Sequence, residues 1–195
     1  ASPRQLLKTV VGRGEDLGYT ARFSAEYEFF LFSENSHSVR EKAYKNLTPL
    51  SPGMFGYSAL RASTYSELVH GLTDGLEAFG VHVEGIHTET GPGVYEAAIA
   101  HDDTVAAADQ GALFKAATKE ILVRRGVMPT FMAKISNDLP GCSGHTHQSL
   151  WKDGAPVFHD GDDPDGMSKT FRHYLAGLTQ LLPDSMALFC PTVNS

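Results

Sequence analysis

Residues 26–32 read Glu-Tyr-Glu-Phe-Phe-Leu-Phe, and they end a stretch from Tyr19 to Phe32 in which side-chain character repeats with a period of two. This period predicts a long β-strand, because successive side chains of a strand point to opposite faces of the sheet. Glu26 and Glu28 share one face, about 6.6 to 6.8 Å apart. Two carboxylates on so apolar a strand repel each other and lose hydration, so we expect a cation beside them. The alternative is a solvated edge face without function.

A second acidic pair, Glu89 and Glu96, flanks the turn sequence Gly91-Pro92-Gly93. The segments Val81 to His87 and Val94 to Ala100 are typical of two short strands joined by this turn. The two carboxylates can therefore approach each other from the two arms of one hairpin, although Gly-Pro-Gly is also ordinary turn sequence. The hairpin is the first indication of an antiparallel sheet.

A glycine-rich segment, Gly141-Cys142-Ser143-Gly144, leads into a predicted strand from His145 to Trp151. On that strand His145, His147 and Ser149 share one face. An alternating histidine pair after such a loop indicates contact with a metal or a phosphate. Cys142 is either a thiol nucleophile near the histidines or a small residue in a tight loop.

Together these segments present four carboxylates and two imidazoles on one face of the predicted sheet. Oxygen ligands with one or two nitrogens suit Mg²⁺ or Mn²⁺, and the carboxylates outnumber those that one octahedral ion takes from protein. We therefore expect two ions, which at a spacing of about 3.5 to 4 Å commonly clamp a phosphoryl group. The sequence contains neither a Walker A pattern nor a kinase-type glycine-rich loop, so a nucleotide would be held through its metal ions.

The remaining patterns predict helices around this sheet, and hence an α+β fold with an antiparallel sheet flanked by helices. Helical spacing of apolar residues predicts helices at residues 3–18, 64–80, 104–126 and 171–182. Thr64 to Glu67 form a capping-box pattern that opens the second helix, and Leu68, Leu72 and Leu76 form its buried stripe. A strand is expected from Phe131 to Ile135, and residues 33–58 are interpreted as a long surface loop. In the third helix the buried candidates are Val105, Ala108, Ala112, Ala116 and Ile121.

Composition excludes several classes of protein. With 195 residues and 42% hydrophobic content, the chain is one domain or a large piece of one, and it can form a core. The 16 basic and 23 acidic residues give a net charge of −7 without basic runs, which argues against binding nucleic acid or anionic lipid. The longest apolar run, Phe29 to Phe32, is far shorter than the roughly 20 residues of a membrane span. Two cysteines imply no disulfide framework, so we expect a cytoplasmic protein.

The sequence resembles glutamine synthetase and its relatives at five ordered segments. Glu26 to Phe32 is similar to the family's Glu-x-Glu-Phe strand, and His87 to Glu96 to its two-glutamate segment. Gly141 to Ser149 resembles the glycine-rich loop that leads into His-x-His-x-Ser. Phe131 to Lys134 resembles the Phe-Met-Pro-Lys strand, and Pro191 to Ser195 a segment that precedes a family arginine.

The resemblance implies roles for these residues. Glu28, Glu89 and Glu96 would hold one Mg²⁺ or Mn²⁺, Glu26 and His145 a second, His147 and Ser149 would lie near ATP, and Gly141 beside the glutamate substrate. In this family ATP phosphorylates the γ-carboxylate of glutamate, and ammonia or an amine then displaces the phosphate to form an amide. The implied partners are glutamate, ATP and ammonia or an amine.

Two features of the sequence bear on which member of the family it resembles. Pro140 stands where the family loop usually has the asparagine that contacts the amino-acid substrate. The spacing from Glu89 to Glu96 is closer to γ-glutamyl ligases that act on amines and to lengsin-like proteins. A lengsin-like structural or assembly protein without turnover is the alternative function. A cupin-type oxygenase is a third, but it requires a glutamate three or four residues after His147, where Leu150 and Trp151 stand.

The resemblance also implies that the α+β fold is of the catalytic-domain type, with a curved antiparallel β-sheet flanked by helices, and it implies a domain organisation. Residues 1–195 would form the central part of the catalytic domain, with the small N-terminal domain and the C-terminal part of the catalytic domain outside this chain. That C-terminal part supplies a later glutamate ligand of the second metal and the substrate arginines. In the family the N-terminal domain completes the neighbouring subunit's site within rings, so we expect a ring-shaped homo-oligomer and no activity from residues 1–195 alone.

Overall fold

The computed structural model describes residues 2–193, and its centre is a seven-stranded antiparallel sheet with helices on one side. The helices are α1 (Pro3–Asp16), α2 (Ser36–Glu41), α3 (Ala59–Thr64), α4 (Ser66–Ala78), α5 (Thr104–Val123) and α6 (Lys169–Phe189). The strands are β1 (Thr20–Phe32), β2 (Val83–Thr88), β3 (Val94–Ile99), β4 (Asp102–Asp103), β5 (Met128–Thr130), β6 (Gly144–Lys152) and β7 (Ala155–Pro156). Asn194 and Ser195, which belong to the last segment that resembles the family, lie outside the described residues.

Strand β1 organises the whole sheet. It pairs with β3 and β4 along one edge and with β6 and β5 along the other, and the sheet order is β2-β3-β1-β6-β7. All these pairings are antiparallel. The long strand and the β2–β3 hairpin predicted from the sequence are therefore confirmed.

The main core lies between the outer face of the sheet and helices α4 and α5. Phe29, Leu31 and Tyr95 of the sheet pack with Leu72 of α4 and Phe114 of α5, and all of these are buried. The aromatic side chains also contact one another, and the rings of Phe29 and Phe114 meet edge to face with their centroids 6.0 Å apart. Burial of this face fixes the register of β1, because a slip by one residue would turn the core side chains to the opposite face.

The turn between β2 and β3 depends on Gly93. Its φ of 72° lies in the left-handed region, and a Cβ atom there would lie 2.5 Å from the carbonyl oxygen of Leu31. Glycine lacks the Cβ that creates both problems. The turn therefore packs directly on β1 and holds the end of β3 against it.

Four sequence expectations were wrong in detail. Thr64 ends α3, and Tyr65 occupies the N-cap position of α4 without a side-chain capping bond, so the capping box does not form. The strand expected at 131–135 lies at Met128–Thr130, where Pro129 pairs with Leu31. Residues 33–58 contain the short helix α2, which Asn35 caps with its side chain. Helix α6 extends to Phe189 and includes Pro183.

The face of α5 that was predicted to be buried is mostly wrong. Ala108, Ala112 and Ala116 are exposed, whereas Ile121 is buried and Val105 is partly buried. The buried residues of the helix are Ala107, Gln110, Gly111, Phe114, Ala117, Thr118, Ile121 and Leu122. Within residues 2–193, no helix has the length and apolar character required to cross a membrane.

Candidate active site

An open cleft of about 430 Å³ lies on the face of the sheet opposite α4 and α5. Its lining consists of Glu26, Glu28, Tyr57, His87, Glu89, Glu96, His145 and His147. All five residues predicted as metal ligands are in this lining, so their expected convergence on one face is confirmed. We refer to this site as the acidic cleft.

Strand register brings the acidic cleft together. Glu26 of β1 lies opposite His145 of β6, Glu28 lies opposite Glu96 of β3, and Glu96 also lies opposite His87 of β2. Directly opposite residues of antiparallel strands project to the same side of the sheet. Three neighbouring pairings thus place side chains from four strands over one area. Phe30, Phe32, Val94 and Cys142 form a small buried cluster on the same face and support it.

Hydrogen bonds and close polar contacts connect the acids to their neighbours. The backbone N–H of Ser143 donates to Glu28 Oε2 at 3.0 Å, and its hydroxyl donates to Glu28 Oε1 at 2.9 Å. His147 Nε2 lies 2.8 Å from Glu26 Oε2. His145 Nε2 lies 3.4 Å from Glu28 Oε1 and 3.3 Å from Glu96 Oε1. The imidazoles therefore lie between the carboxylates.

The pKa values of the acids reflect crowding. Burial raises the pKa of Glu96 above its usual value, and the neighbouring charges of Glu26 and Glu28 add to the increase. Burial also acts to raise the pKa of Glu89, but hydrogen bonds from Thr90 and Tyr57 outweigh it and the net shift is downward. A cation beside Glu96 would remove the repulsion that raises its pKa.

Two groups of donor atoms are close enough to hold a metal ion. Glu26, His87 and Glu96 form one group, and Glu28, Glu96 and His145 form the other. Within each group the donor atoms lie within 4.8 Å of one another. These groups differ from the ligand sets expected from the sequence. The expected sets placed Glu28, Glu89 and Glu96 on one ion and Glu26 and His145 on the other. The division of ligands between two ions stays a prediction.

Gly141 and Ser149 lie outside the lining of the acidic cleft. Gly141 packs in the loop before β6, where a Cβ atom would lie 2.7 Å from the carbonyl oxygen of Ala133. Ser149 lies on β6 opposite Arg22, and its hydroxyl accepts a hydrogen bond from Trp151 Nε1 at 2.9 Å. The Arg22 guanidinium lies 5.6 Å from the centre of the Trp151 ring. Ser149 thus belongs to a separate polar group farther along the same strand.

A family model described as the glutamine synthetase catalytic domain matches residues 1–195, which is the whole chain. The chain belongs to the glutamine synthetase family. Type-1 glutamine synthetase 2 of Dictyostelium discoideum is 47% identical over 195 residues, covering 99% of this chain and 37% of the relative. Glutamate–isopropylamine ligase of a Pseudomonas species is 34% identical, and gamma-glutamylethanolamide synthetase of Streptomyces coelicolor is 35% identical. Both matches cover 100% of this chain and 42% of the relative.

Solved structures agree with this membership. Ligand-free GmaS superposes with a TM-score of 0.85 at 26% identity, over 99% of this chain and 44% of that one. A glutamine synthase homolog gives a TM-score of 0.84 at 26% identity, over 98% of this chain and 42% of that one. The curved antiparallel sheet flanked by helices is therefore the catalytic-domain fold of the glutamine synthetase family. The chain spans about two-fifths of the length of these relatives.

The acidic cleft fits the divalent metals that the glutamine synthetase family uses. Its described lining contains four carboxylates and three imidazoles and neither lysine nor arginine, so the side chains there leave the negative charge uncompensated. Carboxylate oxygens with a few imidazole nitrogens match the preference of Mg²⁺ and Mn²⁺. Burial and the charges of Glu28 and Glu96 raise the pKa of Cys142 to about 12. Its side chain packs in the buried cluster with Phe30, Phe32 and Val94, which favours a small residue in a tight loop over a thiol nucleophile.

Three residues in or beside the acidic cleft were not predicted from the sequence. His87 lies with its Nε2 atom 3.4 Å from Glu96 Oε2, and Ser143 holds Glu28. Tyr57 has a left-handed φ of 53°, and its ring stacks on His87 with the centroids 4.7 Å apart. The position of His87 two residues before Glu89 is a signal that could have been used, since β2 alternates. No sequence pattern links Tyr57 to a hairpin 30 residues away.

Proposed function

We propose that the protein containing this chain is an ATP-dependent ligase that joins ammonia or an amine to the γ-carboxylate of glutamate through a γ-glutamyl phosphate. The observation that carries this proposal is the acidic cleft, with four carboxylates and three imidazoles converging on one face in a member of the glutamine synthetase family. A phosphoryl-transfer site needs concentrated positive charge where phosphoryl oxygens gather charge. Paired carboxylates can bind metal ions that supply this positive charge.

Five residues would hold Mg²⁺ or Mn²⁺ in this proposal, and they are Glu26, Glu28, Glu89, Glu96 and His145. When bound, the ions offset negative charge on the phosphoryl group that is transferred. Ser143 fixes both oxygens of Glu28, and the contact with His147 orients Glu26. These contacts matter because groups that orient ligand carboxylates change metal affinity and activity.

Binding sites for the organic substrates are assigned from the family resemblance. His147 and Ser149 would contact ATP, and the polar group around Ser149 lies on the same strand face as the histidines, so a nucleotide could run along β6. By the same resemblance, Gly141, which is exposed in the loop before β6, would lie beside glutamate. We expect the whole protein to be a cytoplasmic, ring-shaped homo-oligomer in which this chain is the central part of the catalytic domain.

The proposal also concerns which amine accepts the γ-glutamyl group. The relatives include proteins named as a glutamine synthetase, a glutamate–isopropylamine ligase and a gamma-glutamylethanolamide synthetase, so the fold alone does not select the acceptor. Pro140 replaces the loop asparagine of the family, which favours an acceptor or substrate set different from that of the housekeeping enzyme. Ammonia, ethanolamine, isopropylamine and a polyamine form the panel to compare.

The test is turnover by the full-length protein with ATP, glutamate, Mg²⁺ or Mn²⁺, and each amine in turn. We expect one acceptor to stimulate phosphate release and to give amide and phosphate in equal amounts. Phosphate release without amide, or no release with any acceptor, would contradict the ligase. Absence of phosphate release with every acceptor would favour the lengsin-like structural protein. A purely structural role gives no reason for the crowded acids of the acidic cleft.

A further inference from the structure

A second cavity, of about 940 Å³, lies between α5 and the segment that connects β5 to β6. It opens on the edge of β1 where the pairing with β6 ends at Tyr27 and the pairing with β5 starts at Phe30. Its lining combines apolar side chains from the sheet and from the end of α6 with two lysines of α5, Lys115 and Lys119. We call it the lysine cavity.

The two lysines lie one helical turn apart and surround the same aromatic ring. Lys115 Nζ is 4.8 Å from the centre of the Tyr27 ring and 5.5 Å from that of Phe131, and Lys119 Nζ is 5.8 Å from Phe131. Side chains at i and i+4 of a helix are neighbours, so both ammonium groups can reach one ligand. Aromatic faces attract cations but do not neutralise them.

The described lining of the lysine cavity contains two lysines and one carboxylate, Glu28, so positive charge is in excess. In the described part of the chain, neither Lys115 nor Lys119 has a carboxylate within 4.0 Å. Glu28 is the acid in the described lining, and both of its oxygens already accept hydrogen bonds from Ser143. Burial lowers the pKa of Lys115 below its usual value, and the charge of Lys119 lowers it further. An anion between the lysines would reverse both effects.

We propose that the lysine cavity binds an organic phosphate monoester, with the phosphate between Lys115 and Lys119 and the organic group against Phe131 and Met132. Two ammonium groups beside one ring match two negative charges on one compact group, and charge-assisted bonds to phosphate are strong. A volume of about 940 Å³ is far more than inorganic phosphate fills, and its apolar walls suit a carbon body. Glu28 lines both the lysine cavity and the acidic cleft, but Lys115, Lys119 and Phe131 have no role in the proposed ligase, so this site goes beyond the proposed function.

The test is calorimetric titration of the full-length protein with phenyl phosphate and, separately, with inorganic phosphate, both in EDTA. EDTA removes metal ions that could hold either anion in the acidic cleft, and the lysine variants below test whether the remaining binding is in the lysine cavity. We expect phenyl phosphate to bind more tightly than inorganic phosphate, because its ring buries apolar surface on Phe131. This result does not depend on ligase activity, so it stands or fails independently of the proposed function.

The matched variants are Lys115→Met with Lys119→Met, Phe131→Ala, and Lys169→Met as a control. Methionine keeps a long flexible apolar stem and removes the charge, and Lys169 lies at the far end of α6 from the cavity. The double variant should lose at least about tenfold in affinity for phenyl phosphate, as expected for lost charged hydrogen bonds. Phe131→Ala should weaken phenyl phosphate and not inorganic phosphate, and Lys169→Met should change neither.

Three results would overturn the proposal. The first is no binding of phenyl phosphate by the wild-type protein at millimolar concentration. The second is equal affinity in the wild type and in a double variant that melts at the wild-type temperature. The third is equal affinity for inorganic phosphate and phenyl phosphate with no effect of Phe131→Ala, because that would leave a simple anion site without an organic pocket.

Discussion

Glu96 is the residue on which the interactions of the acidic cleft concentrate. It lies opposite Glu28 on one side and His87 on the other, and it belongs to both groups of possible metal donors. Its side chain is 8% exposed, and its carboxylate is close to His145 as well. A buried carboxylate among other acids is stable only with a proton or a cation nearby.

The variant Glu96→Gln should raise thermal stability without metal and abolish tight Mn²⁺ binding. The pKa of Glu96 is raised in the folded state, so protonation of Glu96 contributes stability to the fold. This stability is fully present at pH values below the pKa of Glu96 in the unfolded chain. That stability is lost as pH rises through the folded pKa, so the gain from Glu96→Gln should be larger at pH 8 than at pH 4. Melting curves in EDTA measure it, with the exposed Glu120→Gln of α5 as the control. Equal gains at both pH values would contradict the assigned shift.

At the scale of single residues, the sequence predicted correctly that the four glutamates lie on one face of the sheet. Glu26 and Glu28 were predicted to share a face because alternation on one strand is a local property. The role of Ser143 depends on the meeting of residues 115 positions apart along the chain, so no local pattern could indicate it. Tyr57 escaped prediction for the same reason, since its contact with His87 forms only when its loop folds back on β2.

At the scale of elements, prediction succeeded where side-chain periodicity was strong and failed where it was not. The strands β1, β2, β3 and β6 were found with bounds within a few residues. Helix α5 was found, but its buried face was not, because alanines lie on both faces and polar Gln110 and Thr118 are buried. Strand β5 was displaced because it ends at Thr130, one residue before the apolar segment from Phe131 on which the prediction was based.

The β2–β3 turn provides a prediction at this scale. Gly93→Ala should destabilise the fold more than Gly80→Ala, although both glycines have left-handed φ values, 72° and 79°. A Cβ atom at Gly80 meets nothing within 4 Å, whereas at Gly93 it would clash with the Leu31 carbonyl. The left-handed conformation alone should cost about 1 to 2 kcal/mol at either site. The clash should add at least about 1 kcal/mol at Gly93.

Urea denaturation of the two variants measures the difference in the free energy of unfolding. The turn also positions Glu89 and Glu96, so Gly93→Ala should weaken Mn²⁺ binding while Gly80→Ala should not. Equal losses of stability in the two variants would show that the turn can move away from β1 without penalty.

At the scale of the whole molecule, the chain carries the acidic cleft but spans about two-fifths of its relatives. We predict that residues 1–195 alone bind Mn²⁺ weakly and form no amide from glutamate and ATP. The resemblance places one further carboxylate of the second ion outside this chain, so the four acids here are less well compensated. Titration with Mn²⁺ and an amide assay of the isolated chain measure both points. Amide formation by this chain alone would contradict the domain organisation proposed above.

The central claim is that the acidic cleft performs phosphoryl transfer, and Glu28→Gln in the full-length protein tests it most directly. The substitution removes one charge and nearly keeps the shape, and the amide can still form hydrogen bonds with Ser143, so folding should survive. We predict that turnover with ATP, glutamate and the identified acceptor falls roughly 10²- to 10³-fold at saturating metal. Glu120→Gln, exposed on α5, should keep wild-type turnover. Equal turnover of Glu28→Gln and the wild type would contradict the claim.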